Sequence, residues 1–204
     1  MSREVHVQFR ERAGVRFPCA THLVILCRSE AEAQNALAAV RAWVSEAGLT
    51  LHPEKTRVVD ARAPGGFDFL GYHFARGLRW PRKKSLEKLR ERVRAKTSRL
   101  DGRSLPAIVA DVNRSLRGWY QYFQHSQANV FAAVDGYVRR RLRRVLQWRM
   151  DGVGQGTGAT HQRWPNEWSA RRGLLSLKTE HEWTRIIVSL RTPDPRNQGG
   201  PLRV

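Results

Sequence analysis

From Leu86 to Val145 the apolar residues recur at three- and four-residue steps, a period that only α-helices satisfy. Leu86, Leu89, Val93 and Leu100 mark one face of a first helix over 83–100. Asp101-Gly102 makes a turn, and Ser104 with Pro106 opens a second helix. Its stripe is Leu105, Ile108, Val109, Val112, Leu116, Trp119, Tyr120 and Phe123. A third stripe, Phe131, Val134, Val138, Leu142 and Val145, predicts a third helix. Three amphipathic helices with short connections bury their stripes only against each other, so this stretch is expected to be a helical bundle.

Upstream of Pro81 the pattern is different. Leu23–Cys27 (LVILC) is a short β-branched run expected to form a buried strand. Ser29 followed by Glu32 is a capping box for a helix striped by Ala33, Ala36, Leu37, Val40 and Trp43-Val44, which Gly48 terminates. Residues 49–60 alternate like a strand broken by a turn at His52-Pro53. FDFLGYHF (67–74), with a turn at Arg76-Gly77, predicts a hairpin across 67–81. The expected class is α+β: a small α/β unit over 1–81 and the bundle over 82–150. A Gly-rich loop (151–160) with helical segments to 190 follows, then a disordered tail over 191–204.

Charge narrows the function. The formal net charge is +19, and residues 67–150 carry twenty basic against six acidic side chains. Hydrophobic residues at 41% and seven Trp fit a folded chain rather than a basic tail. No apolar run is long enough to span a membrane, the first residues lack a signal-peptide core, and two cysteines suit a reducing, cytoplasmic setting. A polyanion, nucleic acid before a membrane surface, is the expected partner. Lys83, Lys84, Lys88, Arg92 and Lys96 surround the narrow stripe of the first bundle helix. At 100° per residue, Arg140, Arg143 and Arg144 lie opposite the third stripe, with Arg139 and Arg141 beside it. These positions are the candidate phosphate contacts, and arginine supplies forked donors for them. Trp119 is expected in the core, although Trp119, Tyr120 and Tyr122 are also of a type that stacks on unpaired bases.

GLTLHPEKTRVV (48–59) followed by GFDFLGYHF (66–74) resembles the end of the palm in bacterial group II intron reverse transcriptases. VNRSLRGWYQYF (112–123) and VFAAVDGYVRRRLRRVLQWR (130–149) resemble the thumb, or maturase domain X, of that family, and RWPNEWSARRGLLSL (163–177) its C-terminal segment. The resemblance runs from Leu23 to Leu177 and implies binding to a structured group II intron RNA and help in its splicing. Where the family carries YADD, whose aspartates bind catalytic Mg²⁺, this chain has Cys19-Ala20-Thr21-His22, so Thr21 and His22 fall on the aspartate positions. No Asp or Glu lies between Glu11 and Glu30, and neither Thr nor His suits hard Mg²⁺. No catalytic residue, cofactor or metal is therefore expected, and the chain alone is not expected to polymerise DNA. Lys55 matches a palm lysine of the family near the primer or nucleotide site.

Three functions stay open at this point: an RNA-binding maturase fragment, one half of a split polymerase completed by a separate reverse-transcriptase half, and an inactive intron remnant. Cys19-x-x-His22 lacks the further ligands of a zinc site, and the glycines of 154–158 follow no strand as a phosphate loop does.

Overall fold

The computed structural model describes residues 3–10, 22–53, 56–60, 64–151 and 158–191, with backbone alone for 3–10 and a few flanking positions. The chain is α+β and divides into two compact units, Met1–Arg82 and Lys83–Val204.

In the first unit, β1 (Arg3–Arg10) pairs antiparallel with β2 (His22–Cys27), placing Val5 opposite Ile25. On its other side it meets β3 (Thr50–Leu51) and β4 (Arg57–Val59), with Val5 opposite Val58. The central strand is thus REVHVQFR, which carries no recognisable strand boundary in sequence. β2 is an edge strand, not a doubly covered one: Leu26 is 67% exposed, whereas Cys27 is buried. One face of the sheet is covered by α1 (Glu30–Glu46), whose Ala33 and Leu37 pack with Cys27, Ile25 and Val58. Burial raises the pKa of the Cys27 thiol, and nearby Glu32 adds to the rise.

The ends of α1 follow its sequence signals. Ser29 Oγ accepts from the Glu32 N–H at 3.2 Å, and the Glu32 carboxylate accepts from the Arg28 N–H at 2.6 Å. At the other end the Leu49 N–H donates to the Val44 carbonyl and the Gly48 N–H to the Ser45 carbonyl, a Schellman closure that needs the φ of +69° held by Gly48. Trp43, assigned to the stripe, points away from it and is exposed.

Residues 67–81 form a three-stranded meander rather than one hairpin. β5 (Phe67–Phe69), β6 (Tyr72–Ala75) and β7 (Leu78–Pro81) are joined by tight turns at Leu70-Gly71 and Arg76-Gly77, all four residues having positive φ. Paired positive φ values match the twist of antiparallel strands, so FDFLGYHF folds back on itself at Gly71. Phe67 stacks on Phe74 at 5.3 Å between ring centres.

The second unit is helical: α2 (Lys83–Lys96), α3 (Leu105–Phe123), α4 (Ala128–Asp151), α5 (Gly158–Arg163), α6 (Asn166–Arg171) and α7 (Leu177–Arg191). Ile108, Val112 and Leu116 from α3 and Phe131, Val138, Leu142 and Val145 from α4 are buried, as their stripes predict, with Leu89 and Val93 of α2. Trp119 and Tyr120 are core, and Tyr122 is exposed. α2 stops four residues earlier than its periodicity predicts, because Thr97 Oγ1 turns back to the Val93 carbonyl, and Leu100 is 81% exposed. The segment expected as a glycine loop is helical at both its ends, Asp151 closing α4 and Gly158 opening α5. Among the described residues no helix is long and apolar enough to cross a membrane.

Buried polar side chains dock the C-terminal segment. Asn113 donates to the Gly173 carbonyl at 2.7 Å and accepts from the Leu175 N–H at 2.9 Å. The Asp135 carboxylate accepts from Ser176 Oγ and from the Leu177 and Lys178 N–H groups at 2.8, 2.9 and 3.2 Å. It thereby caps α7 from another helix. His181 packs on Phe131 at 4.6 Å, and the hydroxyls of Tyr120 and Thr184 bond at 2.8 Å. Burial, then Arg185, pushes the pKa of His181 below its usual 6.5; His125 adds to this, while a hydrogen bond to the Gln124 backbone and Glu182 oppose it.

Two predictions follow from this docking. Asp135→Ala is expected to lower stability by about 3 kcal/mol in chemical denaturation, and Asp135→Asn, which keeps an acceptor, by about 1 kcal/mol. The fold holds the His181 pKa below that of the unfolded chain, so below about 6.5 the unfolded chain binds the extra proton and stability declines as pH falls. His181→Phe flattens that decline, as read from melting temperature against pH.

Candidate nucleic-acid interface

The bundle sorts its basic residues into three groups. Lys84, Lys88 and Arg92, spaced by four, lie on the exposed outer side of α2, with Lys83 exposed at its start. Lys96 faces the other way: its ammonium pairs with Asp111 of α3 at 2.5 Å and is mostly covered. Asp111 also receives Arg103 and Arg114, and the contacts with Lys96 and then Arg103 hold its carboxyl below the usual range. Lys96 is therefore a tie between α2 and α3, not the open phosphate contact its position predicted. Beside it, hydrogen bonds from Arg103 pull the pKa of Asp101 from 3.8 to about 2, fixing the α2–α3 turn.

The second group comes from α4 and holds backbone carbonyls. Arg143, placed by periodicity on the open side of α4, is only 5% exposed. Its Nε donates to the Trp164 carbonyl at 2.7 Å, and an Nη donates to Asn166 Oδ1 at 2.9 Å. The angle expected from 100° per residue is right, but the chain between α5 and α6 lies over that side. Arg141 donates to Thr97 Oγ1 at 3.0 Å and to the Thr97 and Arg94 carbonyls at 2.8 and 3.4 Å, closing the exposed end of α2.

The third group lies at the surface and converges. Arg140 and Arg144 of α4 are exposed, while Arg139 is half-buried. With Arg94 of α2 and His161 of α5, Arg140 and Arg144 line a groove of about 620 Å³ whose floor includes Arg141 and Arg143. Beside it Arg90 lies 5.8 Å from the ring centre of Tyr137, whose hydroxyl donates to the Arg90 carbonyl at 3.1 Å. Burial pushes the pKa of both Arg141 and Arg143 down; Tyr137 opposes this at Arg141, where Arg144 and Arg94 add to it, and at Arg143 neighbouring Arg139 adds to it while Glu167 opposes it. A guanidinium stays protonated despite such a shift, so the groove is a wall of fixed and movable positive charge.

Arg94 and His161 line the groove although the sequence does not set them apart as phosphate contacts. Nothing local marks them: one is an ordinary helical arginine, the other follows the glycine stretch, and only packing of α2 and α5 on α4 unites them. Of the palm positions, Lys55 and Thr21 lie outside the described residues, and His22 is described only as backbone opening β2. Among the described residues no three His, Cys, Asp or Glu side chains gather where they could hold a metal ion.

Arg143→Ala is expected to cost about 2 kcal/mol, since it strands the buried Trp164 carbonyl and also loses the bond to Asn166, whereas Arg140→Ala changes stability by less than about 0.5 kcal/mol. Urea denaturation of the two variants separates the anchoring arginine from the open one.

Residues 86–172 match the family model described as group II intron, maturase-specific domain. No curated protein matches the chain significantly.

Proposed function

We propose, from the match of residues 86–172 to the group II intron maturase-specific domain, that the chain is an RNA-binding maturase module that grips structured intron RNA through the arginine groove between α2 and α4. The observation that carries this reading is the convergence of Arg94, Arg140 and Arg144 on a floor of Arg141 and Arg143. Guanidiniums spaced along a groove neutralise phosphates without demanding a base sequence, and the shape of the RNA then supplies selectivity. Lys84, Lys88 and Arg92 on the outer side of α2 extend the positive field and steer encounter. The module acts in splicing of the RNA and not in DNA synthesis by itself: no carboxylate stands between Glu11 and Glu30 to hold Mg²⁺ against a nucleotide. The residues that resemble a palm serve here as the remaining part of a polymerase fold.

Titration of the purified chain with a group II intron RNA against salt tests this. Binding weakens linearly in log–log form, and Arg94→Ala/Arg140→Ala/Arg144→Ala lowers the slope by about 2–3, one counterion per lost contact. An unchanged slope and affinity in the triple variant would remove the groove from the interface.

A further inference from the structure

Two buried polar side chains of the second unit lack a hydrogen-bond partner and line the same hollow. Ser126 is 4% exposed and its Oγ bonds to nothing; His181 is 9% exposed and its Nδ1 likewise. Both belong to the wall of a hollow of about 680 Å³ between the α3–α4 turn and α7, with Ala128, Arg185 and Val188. A buried hydroxyl without a partner carries the full cost of its lost hydration. A ligand that bonds to both groups recovers that cost at one place.

The start of α4 opens on the same hollow. Ala128 is its first residue, so the Ala128 and Asn129 N–H groups have no acceptor within the helix, while the Val130 N–H turns back to the Gln127 carbonyl at 3.1 Å. Gln127 stands at the cap position, and among the described residues no side chain caps the helix there. Twenty-four residues of aligned peptide dipoles therefore present their positive pole to the hollow. Arg185, exposed and one turn beyond His181 on α7, adds a guanidinium. No acid is among the described residues of the lining. After burial, Arg185 does most to lower the His181 pKa and His125 adds to it, against the Gln124 backbone bond and Glu182. Glu182 is itself paired with Lys178 at 3.8 Å.

We propose that this hollow binds one phosphoryl anion, held by the first N–H groups of α4, the Ser126 hydroxyl and the Arg185 guanidinium. The His181 ring donates one nitrogen to the Gln124 backbone, which leaves Nδ1 to accept from a hydroxyl of the ligand. At a rise of 1.5 Å per residue the site lies about 18 Å along α4 from Arg140, so it is separate from the arginine groove. The shared chemistry is a single phosphoryl group, supplied by one backbone phosphate of an RNA or by a small phosphate monoester. The site does not depend on the RNA-binding reading of the groove.

The test is amide NMR of the isotope-labelled full chain titrated with inorganic phosphate, with chloride at matched ionic strength as the control. Phosphate moves the Ala128 and Asn129 signals to saturation and chloride does not. Ser126→Ala/Arg185→Ala weakens the phosphate affinity read at these signals by about tenfold or more. Arg171→Ala, which removes an exposed arginine of α6, leaves it unchanged. Ser126→Ala alone keeps the melting temperature of the phosphate-free chain, because its hydroxyl has no bond there to lose. A marked fall in that temperature, equal movement with chloride, or an unaltered phosphate response in the double variant overturns the site. A short intron RNA that displaces phosphate from these signals assigns the site to a backbone phosphate; RNA that binds while phosphate stays assigns it to a small phosphate monoester. RNA binding with no phosphate effect at Ala128 and Asn129 defeats this inference and leaves the maturase reading intact. A phosphate effect there in a chain that does not bind RNA does the reverse.

Discussion

Helix ends leave backbone carbonyls and N–H groups without partners, and in the second unit one helix supplies side chains to several of them. α4 sends Asp135 to the N-terminus of α7, Arg141 to the end of α2, and Arg143 to the chain between α5 and α6. Arg149 reaches the Asp101 and Arg103 carbonyls at 2.7 and 2.6 Å in the α2–α3 turn. The apolar stripe of α4 makes the bundle compact, but these polar contacts decide where each neighbour ends and which way it turns. Hydrophobic burial is non-directional, whereas a guanidinium on a carbonyl fixes position and angle.

The same anchoring shapes the arginine groove. Arg141 and Arg143 bind carbonyls with part of their donor forks and stand at the floor of the groove with the rest. Arginine can do this because it remains charged when partly buried and carries donors in several directions. Lysine at either position would present one ammonium and lose either the anchor or the face. The result is a concentration of arginines on one side of the bundle, while Asn113, Asp135 and the Asp111 cluster secure its helices elsewhere.

Much of the fold was legible in particular residues. Ser29 and Gly48 mark the two ends of α1, Ser104 opens α3, and the stripes of α3 and α4 name their buried sides. Where the structure departs from those signals, a contact distant in sequence intervenes. Leu100 fits the α2 period, but Thr97 and Arg141 end the helix before reaching it. LVILC has the composition of an interior strand and sits at a sheet edge, since strand position depends on pairing and not on composition. Arg143 and Arg140 are equivalent by periodicity; one is an anchor and the other is open, because residues twenty positions downstream fold over only one of them.

The sequence by itself determined the α+β class, the helical bundle and the excess of positive charge in residues 67–150, all properties of local period and composition, and its motifs carry the resemblance to an intron maturase. It also shows no Asp or Glu between Glu11 and Glu30. Which arginines meet in a groove, and which are consumed in holding carbonyls, only the tertiary structure decided. Periodicity states the direction in which a side chain leaves its helix, but what it meets depends on chain packed from elsewhere, and that contact separates a structural cation from one available to phosphate.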